Sequence, residues 1–481
     1  MEEKNKNLIF YISAGLIILA GIFFRILFYS YARPFWNDES AIALNLINHR
    51  YIELFGKMDY YQAAPPLFCI ACKFFLIFIK KAEYALRALP LVFSCLSLPV
   101  FFMLAKKVLK SETAIIFALI LFALNYQLIY FSQELKPYSG EVFWFLSILL
   151  LYFYIDFEKR TKQNLAAAAV FLAVSVWFSY TAVFALAVLF LTMFANNSKK
   201  QTILLFIPSV ASSLLLLPRI RELSSDSFLY NFWAAGFIKK DFSNLFEILT
   251  GNGFFYFPDF SSKIFIGILF IAGLFFFAKE IKKPQSRIVL LPFLISIFMS
   301  YFDIYPLYLR TCLYLFPVFL IIISKPFDML NSKFQIINYV IIGFLFAHFS
   351  ICTLITDYSQ IVKKEYYRET TQELLQKFSQ ISKSSDILVV PMSSKLNYEF
   401  YKDKVSVKNR NIIVMKRFFY EYPEIERAYS RLPEGQTYYI LLTHSSDKPL
   451  EYKNLCAFAK RMKNTEVLKD KYYNALIRFS N

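Results

Sequence analysis

The sequence is poor in the residues that gather transition metals. Its three histidines, His49, His348 and His444, lie far apart in different segments, and no His or Cys cluster with ligand spacing exists. The six cysteines build no disulfide framework. Cys69, Cys72, Cys95, Cys312 and Cys352 lie in or beside apolar segments, and Cys456 stands alone in a polar region. Cys69 and Cys72 have a metal- or redox-type spacing, but no second ligand pair accompanies them, so they read as buried thiols. No small-residue cleavage pattern precedes Phe24-Arg25, so the first apolar stretch reads as a retained signal anchor. No internal repeat is visible. Acid is scarcer than base, with 35 Asp and Glu against 53 Lys and Arg, a formal net charge of +18. That excess is spread over short loops and the C-terminal region. It excludes a nucleic-acid reading and fits loops that orient a membrane protein.

What is abundant is apolar sequence. Of 481 residues, 57% are hydrophobic, and the mean hydropathy is +0.44. The apolar residues come in blocks: Leu8–Phe28, Leu86–Ala105, Ala114–Ile129, Gly140–Ile155, Leu165–Phe178, Ile203–Leu217, Ile264–Phe277, Ile288–Ser300, Leu313–Ile323 and Ile336–Ala347. A span needs about 20 residues, so most of these cross once their flanks are added. The run Leu165–Phe194 exceeds one span and predicts two short helices turning near Ser179-Tyr180. Ala64–Ile79 covers 16 residues, about 24 Å of helix, against a hydrocarbon core of about 30 Å. It reads as a juxtamembrane helix in the interface.

The short loops are of two kinds. Lys106-Lys107 with Lys110, Lys159-Arg160 with Lys162, Lys199-Lys200, Lys279 to Arg287, and Lys325 to Lys333 are basic. They alternate with the other loops two spans at a time, and the positive-inside rule makes their face cytoplasmic. Tyr31–Glu83, Phe131–Pro137, Ser179–Thr181, Arg219–Ser262, Tyr301–Pro306 and Asp357–Asn481 then face outward. The predicted fold is a polytopic α-helical membrane protein of about 11 spans, or 12 were Ala64–Ile79 a span, with a cytoplasmic N-terminus in the first case. The chain divides into a membrane domain, 1–356, and a small α/β domain outside, 357–481. Strands are expected at Asp386–Val390, Asn411–Met415 and Tyr438–Thr443, helices at Lys363–Ser382, Phe418–Ser430 and Leu450–Met462, and a closing hairpin over Glu466–Phe479.

Three outward segments carry the chemistry. Asp38-Glu39 follows the first span, and carboxylates at membrane depth are costly and usually functional. The plain alternative is Asp38 as cap of a helix Ser40–Asn48. The loop Ser132–Tyr138 brings Glu134 and Lys136 to the outer mouth, with Pro137 at the first position of the next helix; the plain alternative is a weak surface pair. Tyr308-Leu309-Arg310 opens a late span with Pro317 a turn or two deeper. Arg310 there is an anion clamp or a snorkelling side chain.

Taken in order, these pieces resemble the C-type superfamily of membrane glycosyltransferases. The likeness is greatest to the dolichyl-phosphate-mannose–protein mannosyltransferase family and its bacterial relatives, the aminoarabinose transferases acting on lipid A. It rests on Asp38-Glu39, Gln62-Ala63-Ala64-Pro65-Pro66-Leu67, Ala85-Leu86-Arg87-Ala88-Leu89-Pro90, Ser132-Gln133-Glu134-Leu135-Lys136-Pro137-Tyr138 and Tyr308-Leu309-Arg310, closed by the extracytoplasmic domain. The resemblance implies a polyprenyl-phosphate-linked sugar as donor and inversion at the anomeric carbon. It implies Asp38 as general base, with Glu39 and Glu134 orienting the acceptor or stabilising oxocarbenium character. The anionic leaving group calls for positive charge, from Arg310 first, then Lys136, Arg87, Arg219 and Arg221. Tyr138, Tyr308, Pro65 and Pro66 fall where acceptor or lipid would bind.

The sequence departs from these relatives at Ala64, where aminoarabinose transferases tend to have lysine, and after Leu67, where Phe68-Cys69 replaces a glycine-lysine. The sugar and the acceptor, a glycan, lipid or protein, therefore do not carry over. No cofactor is implied; a divalent ion on Asp38, Glu39 and Glu134 is the one metal arrangement these oxygens would allow. The setting implied is a bacterial cytoplasmic membrane. Two other readings are a lipid or glycan transporter, which the missing repeat and one-sided charges disfavour, and a ligase or polymerase using a polyprenyl diphosphate carrier.

Overall fold

The computed structural model describes residues 2–480 apart from 156–160, 225–226, 245–259, 309, 330–342, 345–346, 348–350, 352–369, 406–410, 419–420, 444–448 and 472–473. The expected block Ile336–Ala347 and the expected domain start at Asp357 therefore lie largely outside the described residues. So do Lys159-Arg160, Asp226, Leu309, His348, Cys352 and His444. The chain forms two compact units. One is Met1–Ser30 with Tyr51–Thr356, and the other is Tyr31–Arg50 with Asp357–Asn481.

The first unit is helical. Leu8–Ser30, Ala82–Val108, Lys199–Glu222 and Pro284–Tyr301 are long and apolar enough to cross a bilayer. Six more apolar helices are shorter: Pro66–Ile77, Glu112–Ala123, Tyr138–Leu151, Lys162–Phe178, Ala182–Asn196 and Ile264–Lys279. The long run does divide where expected, at Ser179–Thr181. Helices apolar on every side belong in the interior, and Glu112–Ala123 obeys this. It packs against Glu2–Ser30, Ala88–Val108 and Phe316–Ser324, and every residue of Phe316–Ser324 is buried. Small residues let backbones approach. A Cβ on Gly273 would strike the Ile322 carbonyl, and one on Gly21 would lie 3.0 Å from the Ala123 Cβ.

Arg25, fully buried, fastens this same crossing. It donates through Nε to Ser94 Oγ at 2.8 Å and through Nη1 to the Gly21 and Ala123 carbonyls at 2.9 and 2.8 Å. Three of the basic segments meet at one end. Asp328 accepts from the Lys110 and Ser111 backbone N–H groups at 2.9 Å each and from Lys325 Nζ at 3.0 Å. Lys325 also lies 3.8 Å from Glu280, which pairs with Lys283 at 2.6 Å.

Two boundaries differ from expectation. Arg219 and Arg221 stand in the last turns of the helix Lys199–Ser224, not on a loop. Pro218 does not end that helix, because a bilayer helix tolerates an internal proline where neighbours satisfy the freed carbonyl. Pro317 lies in the first turn of Phe316–Ser324, so Arg310 precedes the helix by an irregular stretch and a turn.

The second unit is an α/β sheet of five strands: β1 Ile387–Val390, β2 Ile412–Val414, β3 Thr437–Leu442, β4 Lys463–Lys471 and β5 Asn474–Ser480. Their order is β2-β1-β3-β5-β4. β1 is parallel to β2 and β3, with Leu388 opposite Ile412 and Tyr439. β5 runs antiparallel to β3 and β4, so the closing hairpin forms as expected. Apolar runs on strands signal burial on both faces. Tyr438, Ile440 and Leu442 join a core with Ile425, Tyr429, Leu455 and Phe458. Tyr439 points the other way, against Phe378 of the helix Thr371–Ile381 at 5.2 Å. A further helix, Lys395–Val405, packs against Asn37–Asn48. The Phe35 backbone N–H donates to Tyr401 Oη at 2.8 Å, and the Phe35 and Phe400 rings lie 5.1 Å apart.

Candidate functional site

In the helical unit, hydrogen bonds gather four of the segments expected to face outward. The first is the stretch before the short helix Pro66–Phe74. Tyr60 and Tyr61 adopt φ of 62° and 54°, a left-handed pair that costs non-glycine residues about 1–3 kcal/mol each. That turn presents Gln62, whose Oε1 accepts from Lys136 Nζ at 2.9 Å. The second segment is the Lys136 loop itself. Every residue from Phe131 to Val142 is buried. Ser132 Oγ donates to the Ile129 carbonyl at 2.6 Å and Ser139 Oγ to that of Phe131 at 2.8 Å. Lys136 therefore reaches across to another segment from a fixed base, and Glu134, 1% exposed, sits in the same buried loop. Pro137 is the residue before the helix Tyr138–Leu151, one place earlier than expected.

The third segment is the turn at Tyr180 and the fourth the end of the helix Lys199–Ser224. Arg219 donates through Nη1 to the Leu54 and Gly56 carbonyls at 2.8 and 2.6 Å, and through Nη2 to Ala64 at 2.9 Å. Tyr180 Oη donates to the same Ala64 carbonyl at 3.2 Å. Burial pushes the Tyr180 phenol up to about 12, against the pull of the Arg219 guanidinium, so it serves at neutral pH as a hydroxyl donor. Both Arg219 and Lys136 lie within electrostatic reach of Cys69, one turn into the short helix. Pro65 and Pro66, both buried, follow directly on Ala64. The result is two buried cations on converging segments, Arg219 held by three carbonyl oxygens, a setting that favours an anion.

The remaining residues lie elsewhere. Arg87, 2% exposed, precedes the helix Ala88–Val108 beside Tyr29. The Arg310 guanidinium lies over Trp233 at 5.0 Å, and the Tyr308 ring meets the same indole at 5.7 Å. Tyr138 is buried with its ring against Phe131 at 5.2 Å.

In the second unit, Asp38 and Glu39 occupy the first turn of the helix Asn37–Asn48. The helix starts three residues earlier than expected, and Asp38 is not its cap. Glu39, fully buried, takes that part: its Oε2 accepts from the Trp36 backbone N–H at 3.4 Å. The spacing Trp36 to Glu39 is the reciprocal half of a capping box. Asp38 is partly exposed in the first turn of that helix. Among the described residues no group of three His, Cys, Asp or Glu side chains is gathered for a metal. Sequence reasoning assigned no role to Tyr180 beyond a turn, and none to Arg25 or to Glu141. A lone charge inside an apolar block was the available signal for the last two.

No protein-family model matches the chain, and no curated protein matches it. Solved structures do. ArnT from Cupriavidus metallidurans bound to undecaprenyl phosphate aligns over 98% of both chains, at 10% identity and a TM-score of 0.56. Its apo form aligns over 99% of this chain and 98% of that one, at 10% identity and 0.54. The oligosaccharyltransferase of Archaeoglobus fulgidus aligns over 93% of this chain and 71% of its own, at 13% identity and 0.51. The chain thus shares its fold with ArnT and with that oligosaccharyltransferase, in line with the resemblance its motifs carry.

Proposed function

We propose that the protein is a membrane glycosyltransferase that moves a sugar from a polyprenyl-phosphate carrier to an acceptor hydroxyl. The observation that carries this reading is the buried pair Lys136 and Arg219, in a fold shared at full length with a transferase that binds undecaprenyl phosphate. A departing lipid phosphate is already anionic, so it needs positive charge in place of a general acid. Lys136 and Arg219 supply it, with Arg310 and Arg87 as further cations. Asp38 takes the proton from the acceptor oxygen as that oxygen attacks the anomeric carbon. Glu39 fixes the helix turn on which Asp38 stands, and Glu134 orients the acceptor or the developing oxocarbenium ion. Tyr138 and Tyr308 contact acceptor or lipid. Single displacement inverts the anomeric centre. The reaction belongs on the outer face of a bacterial cytoplasmic membrane, with residues 357–481 outside. Nucleotide sugars are cytosolic, which favours a lipid-linked donor on that face.

The test is glycosyl transfer in membranes supplied with a radiolabelled polyprenyl-phosphate sugar pool, comparing wild type with Asp38→Asn at equal expression. Loss of transfer in the variant, with the lipid-linked donor accumulating, supports the reading. Unchanged transfer removes Asp38 from the mechanism. No transfer by either protein from any donor favours a transporter.

A further inference from the structure

Glu141 is the only charged residue of the helix Tyr138–Leu151. It is 4% exposed, and its Oε2 has no hydrogen-bond partner among the described residues. Burying a carboxyl without a partner is costly, and at membrane depth such a residue is a functional candidate by default. Aromatic rings cluster near it. Phe145, one turn on along the same helix face, meets Tyr314 at 5.1 Å. Phe184 meets Tyr305 at 5.2 Å and Tyr314 at 5.6 Å. Tyr305, Tyr314 and Cys312 all lie within electrostatic reach of Glu141, and Tyr138 lies within reach of Tyr305. The two deeper phenols are engaged elsewhere: Tyr305 Oη donates to the Thr311 carbonyl at 3.1 Å, and Tyr314 Oη shares a bond with Ser296 Oγ at 2.7 Å.

This box adjoins the cation pair along two elements at once. Glu141 follows Lys136 by five residues, and Phe184 follows Tyr180 by four. Their helices, Tyr138–Leu151 and Ala182–Asn196, pack together. The box therefore lies one turn or slightly more inside the cluster of Lys136, Tyr180 and Arg219. No lysine or arginine pairs with Glu141 among the described residues, so the box is unsuited to phosphate. A carboxyl that can accept paired hydroxyls, walled by ring faces that pack against C–H groups, is the chemistry of carbohydrate recognition.

We infer that Glu141 and its ring box form the subsite for the sugar ring of the lipid-linked donor, with the carboxyl receiving sugar hydroxyls. The inference rests on the transferase reading, and Glu141 acts in it as a specificity-determining residue. The phosphate is held by the outer cations and the sugar by the inner box, one turn apart.

The test is equilibrium binding to the full detergent-solubilised chain. The probes are a ten-carbon prenyl phosphate and its glucosyl, mannosyl, galactosyl and N-acetylglucosaminyl counterparts. Wild type should bind at least one sugar-bearing probe about tenfold or more tightly than the bare phosphate. Glu141→Leu should abolish that preference and leave binding of the bare phosphate unchanged. Glu141→Gln, which keeps the shape and one acceptor oxygen, should restore part of it. Thermal unfolding of Glu141→Leu at or above the wild-type midpoint shows that folding is intact, since an apolar side chain of similar size relieves an unpaired buried polar group. A preference that survives in Glu141→Leu, or a wild type that binds bare phosphate with no preference across the panel, overturns the sugar subsite alone. A wild type that binds none of the lipids overturns the donor reading with it.

Discussion

The two units differ in whether they bury cations. Among the described residues the helical unit buries Arg25, Arg87, Lys136, Arg219 and Lys325 alongside Glu83, Glu134 and Glu141. The sheet unit buries Glu39, Asp386 and Glu451, with asparagines, serines and threonines, but no lysine or arginine. In the sheet unit two of these acids are held locally: Asp386 accepts from the Lys383 backbone N–H at 2.8 Å, and Glu39 caps its own helix. In the helical unit the cations divide by what they hold. Lys325 has carboxylate partners. Arg25 and Arg219 hold only neutral oxygens, Arg25 at a helix crossing and Arg219 at a helix end beside Lys136. Buried charge is not by itself a sign of function; a buried charge held in place without a counter-ion, where segments converge, is a stronger one.

The largest effect should come from breaking the closed pair. Asp328→Asn leaves Lys325, whose side chain is 6% exposed, without its nearest carboxylate, and should cost about 3–5 kcal/mol in chemical denaturation of the solubilised chain. A cost under about 1 kcal/mol would show Glu280 to be sufficient. Next, Arg219→Met should lower glycosyl transfer about 10²–10³-fold at saturating acceptor, the scale of a lost charge-stabilising donor. Transfer within about threefold of wild type would strike Arg219 from the anion site.

Tyr401→Phe tests the sheet unit, where neutral groups do the fastening. Removing the hydroxyl that accepts from the Phe35 N–H should cost about 1 kcal/mol, with no dependence on salt. A salt-dependent loss would mean charge holds Tyr31–Arg50 after all. Smallest of all should be Arg25→Met. Replacing a buried charge by an apolar chain of similar volume is often neutral, so stability should change by about 1 kcal/mol or less and transfer should persist. If transfer falls as far as in Arg219→Met, the division between the two arginines fails.

Much of this was legible in the residues. The run Leu165–Phe194 was too long for one span, so its turn at Ser179–Thr181 could be placed. Apolar runs bounded by polar clusters gave β1, β2 and β3 to within a residue or two, and the final hairpin as well. The grouping of basic loops was legible from alternation, and the bonds joining Lys110, Glu280, Lys325 and Asp328 agree with it. The helix Lys395–Val405 was not legible, because its buried Asn397, Tyr398, Phe400 and Tyr401 are spread among charged residues. Arg219 was misplaced onto a loop because a proline followed by charges reads locally as a helix end. The plain alternative for Asp38, a helix cap, does not hold: capping propensity points to an acidic residue there, whereas Glu39 reaches back from the third position.

The sequence alone determined the kinds of element: apolar helices, a sheet domain at the end, and loops sorted by charge. Those follow from composition and period, which are local properties. Tertiary structure alone decided that Tyr31–Arg50 belongs with the sheet, that Gln62, Lys136, Tyr180 and Arg219 converge, and that Glu141 is buried with its Oε2 unpartnered among the described residues. Each of those depends on a partner far away in the chain, and no local periodicity records which distant segment will supply it.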